Sequence, residues 1–232
     1  LIFIGIIWAD ATKERPIDWR ESYSLNEKIP FGLYVFNQEH KAIFKPQTVE
    51  KFSESPYEFL DKNYNTYDSI YDIEGTILLI QNKAAIDEYS ENELFYFASH
   101  RNAIFYSNSN FSQKFADSLG FEIEYSNDFA DSLQFKINRN QKAGNFYFNK
   151  GINTAYFSKI DSSKTEVLGT QINSKGEEFA NFIKVKHLNG NFYLHLQPVA
   201  FTNYYLLNKN SQYTEDILGY IPSKSPIYWK VK

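Results

Sequence analysis

The side chains able to do chemistry are few and scattered along this chain. Cysteine is absent, which removes thiolate nucleophiles, thiolate metal sites and disulfides together. The four histidines, His40, His100, His187 and His195, are dispersed, and none pairs with another at the H-x-x-x-H spacing that sets two metal ligands on one helix face. Carboxylates cluster at Asp87-Glu88 with Glu91 and Glu93, where a helix N-terminus accounts for them through its dipole. A second group, Glu177-Glu178 beside Gly176, fits a solvated turn. A glycosidase acid pair requires an Asp and a Glu brought together by folding, and no pattern marks one. Ser107-Asn108-Ser109-Asn110 follows an apolar run, where a strand-to-helix nucleophile turn falls, yet it lacks the flanking glycines of G-x-S-x-G. Phosphate loops of the Walker or dinucleotide type are missing. The sequence therefore assigns no catalytic residue, no metal ligand and no cofactor. Its candidate ligand contacts are Ser107, Asn108, His195, Thr202 and Asn203, which follow apolar runs at the strand ends where ligands sit in open α/β sheets. At Thr202 and Asn203 a capping role competes with ligand contact and is the simpler expectation, with Phe201 packed inward.

The elements that must position these residues are legible from periodicity. Thr76 to Ile80, Ala103 to Tyr106 and Phe192 to Leu196 are continuous apolar runs, the pattern of parallel strands buried on both faces, and they are expected to be neighbours. Ser90-Glu91-Asn92-Glu93 reads as a capping box opening a helix that carries Leu94, Phe97, Ala98 and Arg101 on its covered face. A second helix bears Phe111, Phe115, Ala116 and Leu119 and is closed by Gly120. Strand, helix, strand, helix at these lengths implies right-handed crossovers. Earlier, a helix is expected from Pro30 toward His40, a short strand at Val49 to Phe52 and a short helix opening at Ser55-Pro56. From Phe121 to Leu188 the runs shorten, alternate and are punctuated by glycines, which predicts antiparallel strands inserted beside the parallel core. A last helix is expected from Thr214 through Leu218.

The first nine residues, Leu1 to Ala9 (LIFIGIIWA), are uncharged and apolar with Trp8 near their end, and residues 10–16 are polar. This reads as the end of a membrane anchor, too short alone to cross a bilayer, followed by a spacer, with the folded domain at 17–232. A buried first strand or a signal-peptide core is the alternative. The length fits one large domain, and the 43% hydrophobic content supplies a substantial core. A net charge of only −4 with scattered Lys and Arg argues against nucleic acid as a partner. The 21 Phe and 18 Tyr fit either a glycan-binding surface or the composition of an A- and T-rich coding genome.

Four blocks recur in a suggestive order: Asp18-Trp19; Lys28-Ile29-Pro30-Phe31-Gly32; Pro198-Val199-Ala200-Phe201-Thr202-Asn203 with Leu206-Leu207; and Ile227-Tyr228-Trp229. This set resembles the bacterial family known as domain of unknown function 4350, with its D-W, K-x-P-[YF]-G, P-x-x-F-[TS]-N-x-x-L and Y-W blocks. The resemblance implies an α/β fold, a mostly parallel flavodoxin-like or class I glutamine amidotransferase-like three-layer sandwich with an inserted antiparallel β region at 121–188. It implies display on the extracytoplasmic side of a bacterial cytoplasmic membrane, with an N-terminal membrane helix and often a second one after the domain. No activity accompanies the family. Amidotransferase chemistry needs a Cys nucleophile, and this chain has none. His195-Leu196-Gln197 is similar to the His-x-Glu of those enzymes but carries Gln in place of the acid. The function expected is a non-catalytic, membrane-tethered binding or interaction domain for a protein or envelope partner. The alternatives are a hydrolase of envelope carbohydrate or peptide, and a glycan-binding module.

Overall fold

A computed structural model describes residues 16–82, 86–126, 132–138, 144–208 and 210–231. The three continuous apolar runs are strands β4 (Thr76–Ile80), β5 (Ala103–Ser107) and β12 (Gly190–His195). They pair side by side and parallel, Leu78 beside Phe105 and Phe105 beside Tyr193. Strand β13 (Ile227–Lys230) lies parallel on the other flank of β4, and β1 (Val49–Phe52) follows it. Strands β4 and β5, and β12 from Phe192 on, are buried throughout because both faces are covered, whereas the edge strand β1 leaves Glu50 and Lys51 exposed. Ile77, Leu79, Ile104, Tyr106, Phe192 and Leu194 face one core. Leu78, Ile80, Phe105, Tyr193, Ile227 and Trp229 face the other.

The first core is closed by helices α2 (Pro56–Lys62), α3 (Glu88–Ser99) and α4 (Gln113–Leu119). The second is closed by α1 (Tyr34–Ile43), α5 (Asn203–Leu207) and α6 (Ser211–Leu218), with a 3-10 turn at Pro198–Phe201. Phe36 of α1 meets Trp229 at 5.0 Å and Phe201 at 5.6 Å, ring centre to ring centre, which joins the turn to β13 within the same core. Burying an aromatic side chain of this kind contributes roughly 1.5–3 kcal/mol.

The sheet corrects the expected architecture. It is one mixed sheet of eleven strands, in which the five parallel strands are outnumbered by six antiparallel ones, so the chain is not a mostly parallel flavodoxin-like sandwich. Strand β11 (Glu178–His187) pairs antiparallel with β12 and carries the sheet onward through β10 (Thr165–Ile172), β7 (Leu133–Ile137) and β8 (Gly144–Phe148). Strands β9 (Ala155–Ile160) and β6 (Phe121–Tyr125) branch from β11. A two-stranded ribbon, β2 (Tyr64–Asn65) and β3 (Ile70–Tyr71), stands apart. The region from Phe121 to Leu188 is thus more than half of a continuous sheet, not an insertion beside one. Alternation identified these residues as antiparallel strands, but it carries no information about which neighbour each strand chooses.

Local corrections have equally local causes. Helix α1 begins at Tyr34, because Pro30 and Gly32 are held in a turn by Gly32 N–H donating to Ile29 O. Helix α3 starts at Glu88 with Asp87 as its cap, accepting from the Ser90 amide at 2.9 Å, so Ser90 lies inside the helix. Arg101 falls outside it at φ 69°. The capping box occurs instead at Ser55 and Glu58 on α2. Gly120 closes α4 at φ 76°, as its position in sequence indicates. Among the described residues no helix is long and apolar enough to cross a membrane, so the expected transmembrane helix has no counterpart there. Leu1 to Ala9 and the spacer up to Arg15 lie outside the described residues.

Candidate functional site

Strands β5 and β12 end side by side, with Ser107 paired to His195 in the parallel register. The Ser107 hydroxyl lies 2.9 Å from His195 Nδ1. On the other side of the ring, Nε2 meets the Tyr213 hydroxyl of α6 at 3.1 Å, and Asn181 Nδ2 of β11 donates to that hydroxyl at 3.4 Å. Both ring nitrogens are thus engaged by protein hydroxyls, Nδ1 by Ser107 and Nε2 by Tyr213. All four side chains are fully buried. Phe182 and Phe201 each stand edge-on to the imidazole. Burial pushes the His195 pKa down to about 3, which keeps the ring neutral at any physiological pH.

The rest of the strand-end crevice is filled by neutral polar groups. Asn108, fully buried, donates to the Tyr106 hydroxyl at 3.0 Å, and Gln81 donates to the same oxygen at 2.6 Å. Ser109 donates to Asn82 Oδ1 at 2.6 Å, and Asn82 in turn donates to Glu21. Gln197 and Asn153 exchange hydrogen bonds, Gln197 Nε2 reaching Asn153 O at 2.6 Å. Gln197, standing where an amidotransferase-like acid would be, therefore secures a loop. A hollow of about 300 Å³ beside the turn, lined by Asn110, Phe111, Gln113 and Tyr125, does not include Ser107 or Ser109.

The structure brings Ser107, Asn108 and His195 together but places Thr202 and Asn203 in a different role. The Thr202 hydroxyl donates to Val199 O at 2.7 Å and makes no cap to α5. Asn203 does not act on its own loop. Its Oδ1 accepts from the Val35 amide at 2.7 Å, and its Nδ2 donates to Glu27 O at 2.9 Å and Ile29 O at 2.8 Å. The Asn203 amide donates to Gly32 O and the Tyr204 amide to Pro30 O, each at 2.9 Å. Gly32 is required here by space: a Cβ on it would fall 2.1 Å from Glu27 O. The Lys28 to Gly32 block and the Phe201 to Asn203 block are thus two halves of one latch. Trp19 completes it, packing on Phe31 and Tyr204 at 5.5 Å each.

Two surface features were not singled out by sequence. A groove of about 540 Å³ opens between α1 and α6, lined by Val35, Glu39, Ile43, Leu206 and Leu218 among others. Its residues come from three separate helices, so no local pattern could announce it. The second is a set of paired tyrosines on α2 and α3, where the helical spacing of Tyr89 and Tyr96 was the available signal. Among the described residues no group of three His, Asp or Glu side chains could hold a metal ion.

No protein-family profile matches the chain, and no curated protein is similar to it. Among solved structures it is similar to the exo-beta-1,4-mannosidase Op5Man5 from Opitutaceae bacterium strain TAV5, at 11% identity and a TM-score of 0.43, over 63% of this chain and 25% of that one. It is also similar to a beta-galactosidase from Bacillus circulans sp. alkalophilus, at 10% identity and a TM-score of 0.38, over 60% of this chain and 22% of that one. A third similarity is to the cytoplasmic protein STM3548 from Salmonella typhimurium, at 10% identity and a TM-score of 0.37, over 75% and 71% of the two chains. The chain spans about a quarter of the length of the two glycosidases. None of these scores carries an argument about fold or activity.

Proposed function

We propose that this chain is a non-catalytic binding domain. The observation that supports the reading is the sealed state of the strand-end cluster: Ser107, His195 and Tyr213 are bonded in series and all fully buried. A nucleophile acts only where substrate can reach it and where a base lone pair faces its proton. Ser107 fails the first condition, because it is fully buried. The amides around it, Gln81, Asn82, Asn108, Asn153 and Gln197, hold loops and neighbouring side chains and transfer no protons at neutral pH. Display outside the cytoplasmic membrane belongs to the same proposal and is supported by the block resemblance alone; a membrane-impermeant amine label applied to intact cells checks it.

The experiment is a turnover assay on the purified chain with glutamine, aryl esters and aryl glycosides. No product above the uncatalysed rate is expected, and Ser107→Ala with Ser109→Ala should leave ligand binding unchanged. Turnover that disappears with those serines would overturn the reading in favour of a hydrolase.

A further inference from the structure

On the face formed by α2 and α3, two tyrosine pairs stand two helical turns apart. Tyr89 and Tyr96 are seven residues apart on α3, so they share one stripe and are separated by roughly 10 Å along the axis. Tyr57 of α2 leans on Tyr89, with ring centres 6.0 Å apart. Tyr64, two residues beyond α2, leans on Tyr96 at 5.8 Å, with the two hydroxyls hydrogen-bonded at 3.0 Å. Three of the rings are open to solvent, Tyr89 at 72% exposure and Tyr57 and Tyr96 at 40% each, while Tyr64 is half-buried against the core. Tyr67 stands 98% exposed on the adjoining ribbon. Between the pairs the surface carries Asp61 and Glu93, the latter held by a hydrogen bond from the Tyr71 hydroxyl, while Asn92 turns to the other flank of α3, where its Oδ1 accepts from Lys114 of α4 at 3.2 Å. The two helices are tied together, since the Tyr57 amide donates to Ser90 Oγ at 3.2 Å and Ser90 Oγ donates to Asp87 at 2.6 Å.

A coding bias explains how many tyrosines a chain has; it does not explain their exposure as matched pairs with hydrogen-bonding groups between them. Apolar contact on such rings costs little conformational entropy, because each tyrosine is held by its partner and presents a wide amphipathic face. We propose that this face binds an extended chain of neutral sugars. The C–H face of a pyranose is apolar and its rim is all hydroxyl, which matches alternating rings and carboxylate groups. The two ring pairs would seat two sugar units separated along the chain, while Asp61 and Glu93 serve the hydroxyls between them.

Charge narrows the ligand. Glu58, Asp61, Glu88 and Glu93 share this surface, and the nearby lysines Lys62 and Lys114 are already paired with Glu54 and Glu88. Sulfated or uronic-acid glycans would meet a repulsive field. The rings within each pair are inclined by 56° and 63°, which suits a single twisting chain and not the flat face of a crystalline polysaccharide. A proline-rich peptide also docks on aromatic rings, but it wants an apolar floor, and the positions between these pairs are polar.

This proposal rests on the binding-domain reading, and the test separates the two. The whole 232-residue chain is titrated calorimetrically with cellotetraose, chitotetraose, a tetragalacturonate and a proline-rich peptide. At least one neutral tetrasaccharide should bind saturably, and the tetragalacturonate should not. Tyr89→Ala and Tyr96→Ala should each weaken binding roughly tenfold, with Tyr147→Ala, exposed elsewhere, as the unchanged control. Circular dichroism confirms that the variants fold, and Tyr89→Phe, which keeps the ring, should bind like the parent. The proposal is overturned if neither neutral tetrasaccharide binds, if binding ignores Tyr89 and Tyr96, or if only the peptide binds. Slow hydrolysis of a bound tetrasaccharide, seen by chromatography, would instead overturn the non-catalytic reading and leave this one standing.

Discussion

The strand-end cluster around His195 and the tyrosine face over α2 and α3 reverse the usual assignment of chemistry to position. Ser, His and Tyr, the residue types of a catalytic relay, are locked inside with solvent excluded. Ordinary tyrosines, which would be core in most chains, stand outside in matched pairs. A residue type marks a potential for chemistry only where the fold leaves its reactive atom a free face. At His195 both nitrogens are occupied by protein groups, so the ring works as a buried strut between β5, β12 and α6. The tyrosine face has the opposite balance: wide exposure at Tyr57, Tyr89 and Tyr96, even though Tyr96 also packs on Tyr71 and His100. The cluster should therefore respond to mutation in stability alone and the face in binding alone.

The largest break in that contrast is expected at His195. His195→Ala leaves a cavity beneath Phe182 and Phe201 and strips partners from Ser107 and Tyr213, so unfolding in urea should show a loss of about 3–5 kcal/mol. The same residue sets an acid limit. An unfolded histidine titrates near 6.5 and the folded one at about 3, so between those values the unfolded chain holds a proton that the native chain does not. Stability should therefore fall as the pH drops through this window, by on the order of 4 kcal/mol when burial is complete. His195→Gln should remove this limb of the curve while lowering its plateau. A flat parent curve between pH 6.5 and 4 would mean that the ring is not sealed, and the comparison with the tyrosine face would lose its first half.

How much of this was readable in the sequence follows the range of the interaction concerned. The three central strands were legible because two-sided burial forces an unbroken apolar run, as in Thr76 to Ile80. Gly120 was legible because a left-handed cap admits few other residues. The partner of each antiparallel strand was not, since β11 could pair with any neighbour whose inner face alternates as it does. Periodicity alone therefore predicts a parallel sheet with an insertion where the chain builds one mixed sheet. The expected adjacency of the runs Ala103 to Tyr106 and Phe192 to Leu196 implies that Ser107 and His195 stand at adjoining strand ends, because parallel buried strands bring their ends together. Their closure was invisible, because it comes from Asn181 and Tyr213, on a strand and a helix that no local pattern connects to them. Asn203 was read as a local cap for the same reason: its partners, Glu27, Ile29 and Val35, lie far away along the chain.

That distance makes Asn203 the next sharpest test. Its amide side chain serves three backbone groups at once, more than a helix cap does. Asn203→Ala should cost about 2–4 kcal/mol, near the sum of three modest hydrogen bonds. Asn203→Asp should be no better, because an oxygen would then face the carbonyls of Glu27 and Ile29. An unchanged urea midpoint in either variant would reject the latch. Ser107→Ala is milder, about 1–2 kcal/mol, since it removes one partner from a buried ring nitrogen.

The smallest effect is expected where the two regions meet on α3, at Glu91. This carboxylate is buried on the inner side of the helix that carries Tyr89 and Tyr96 outside, and it accepts from the Ser112 hydroxyl at 2.8 Å. Burial raises its pKa above the ordinary carboxylate value, the Ser112 bond and Lys114 oppose that shift, and Glu88 and Asp87 add to it. The folded chain thus holds this proton to higher pH than the unfolded chain does. In that window the native state binds more protons, so the contribution of Glu91 to stability declines as the pH rises through it. Glu91→Gln keeps the acceptor for Ser112 and removes the charge. It should flatten this shallow decline and leave stability at neutral pH equal to or slightly above the parent. Because Ser112 also caps α4 by accepting from the Phe115 amide at 3.0 Å, the variant must preserve that cap for the comparison to hold. Glu91→Ala, which abandons Ser112, should be less stable than Glu91→Gln at every pH. Equal curves for the two variants would show that the hydroxyl bond adds nothing, and a steeper decline in Glu91→Gln would assign the pH dependence to another carboxylate.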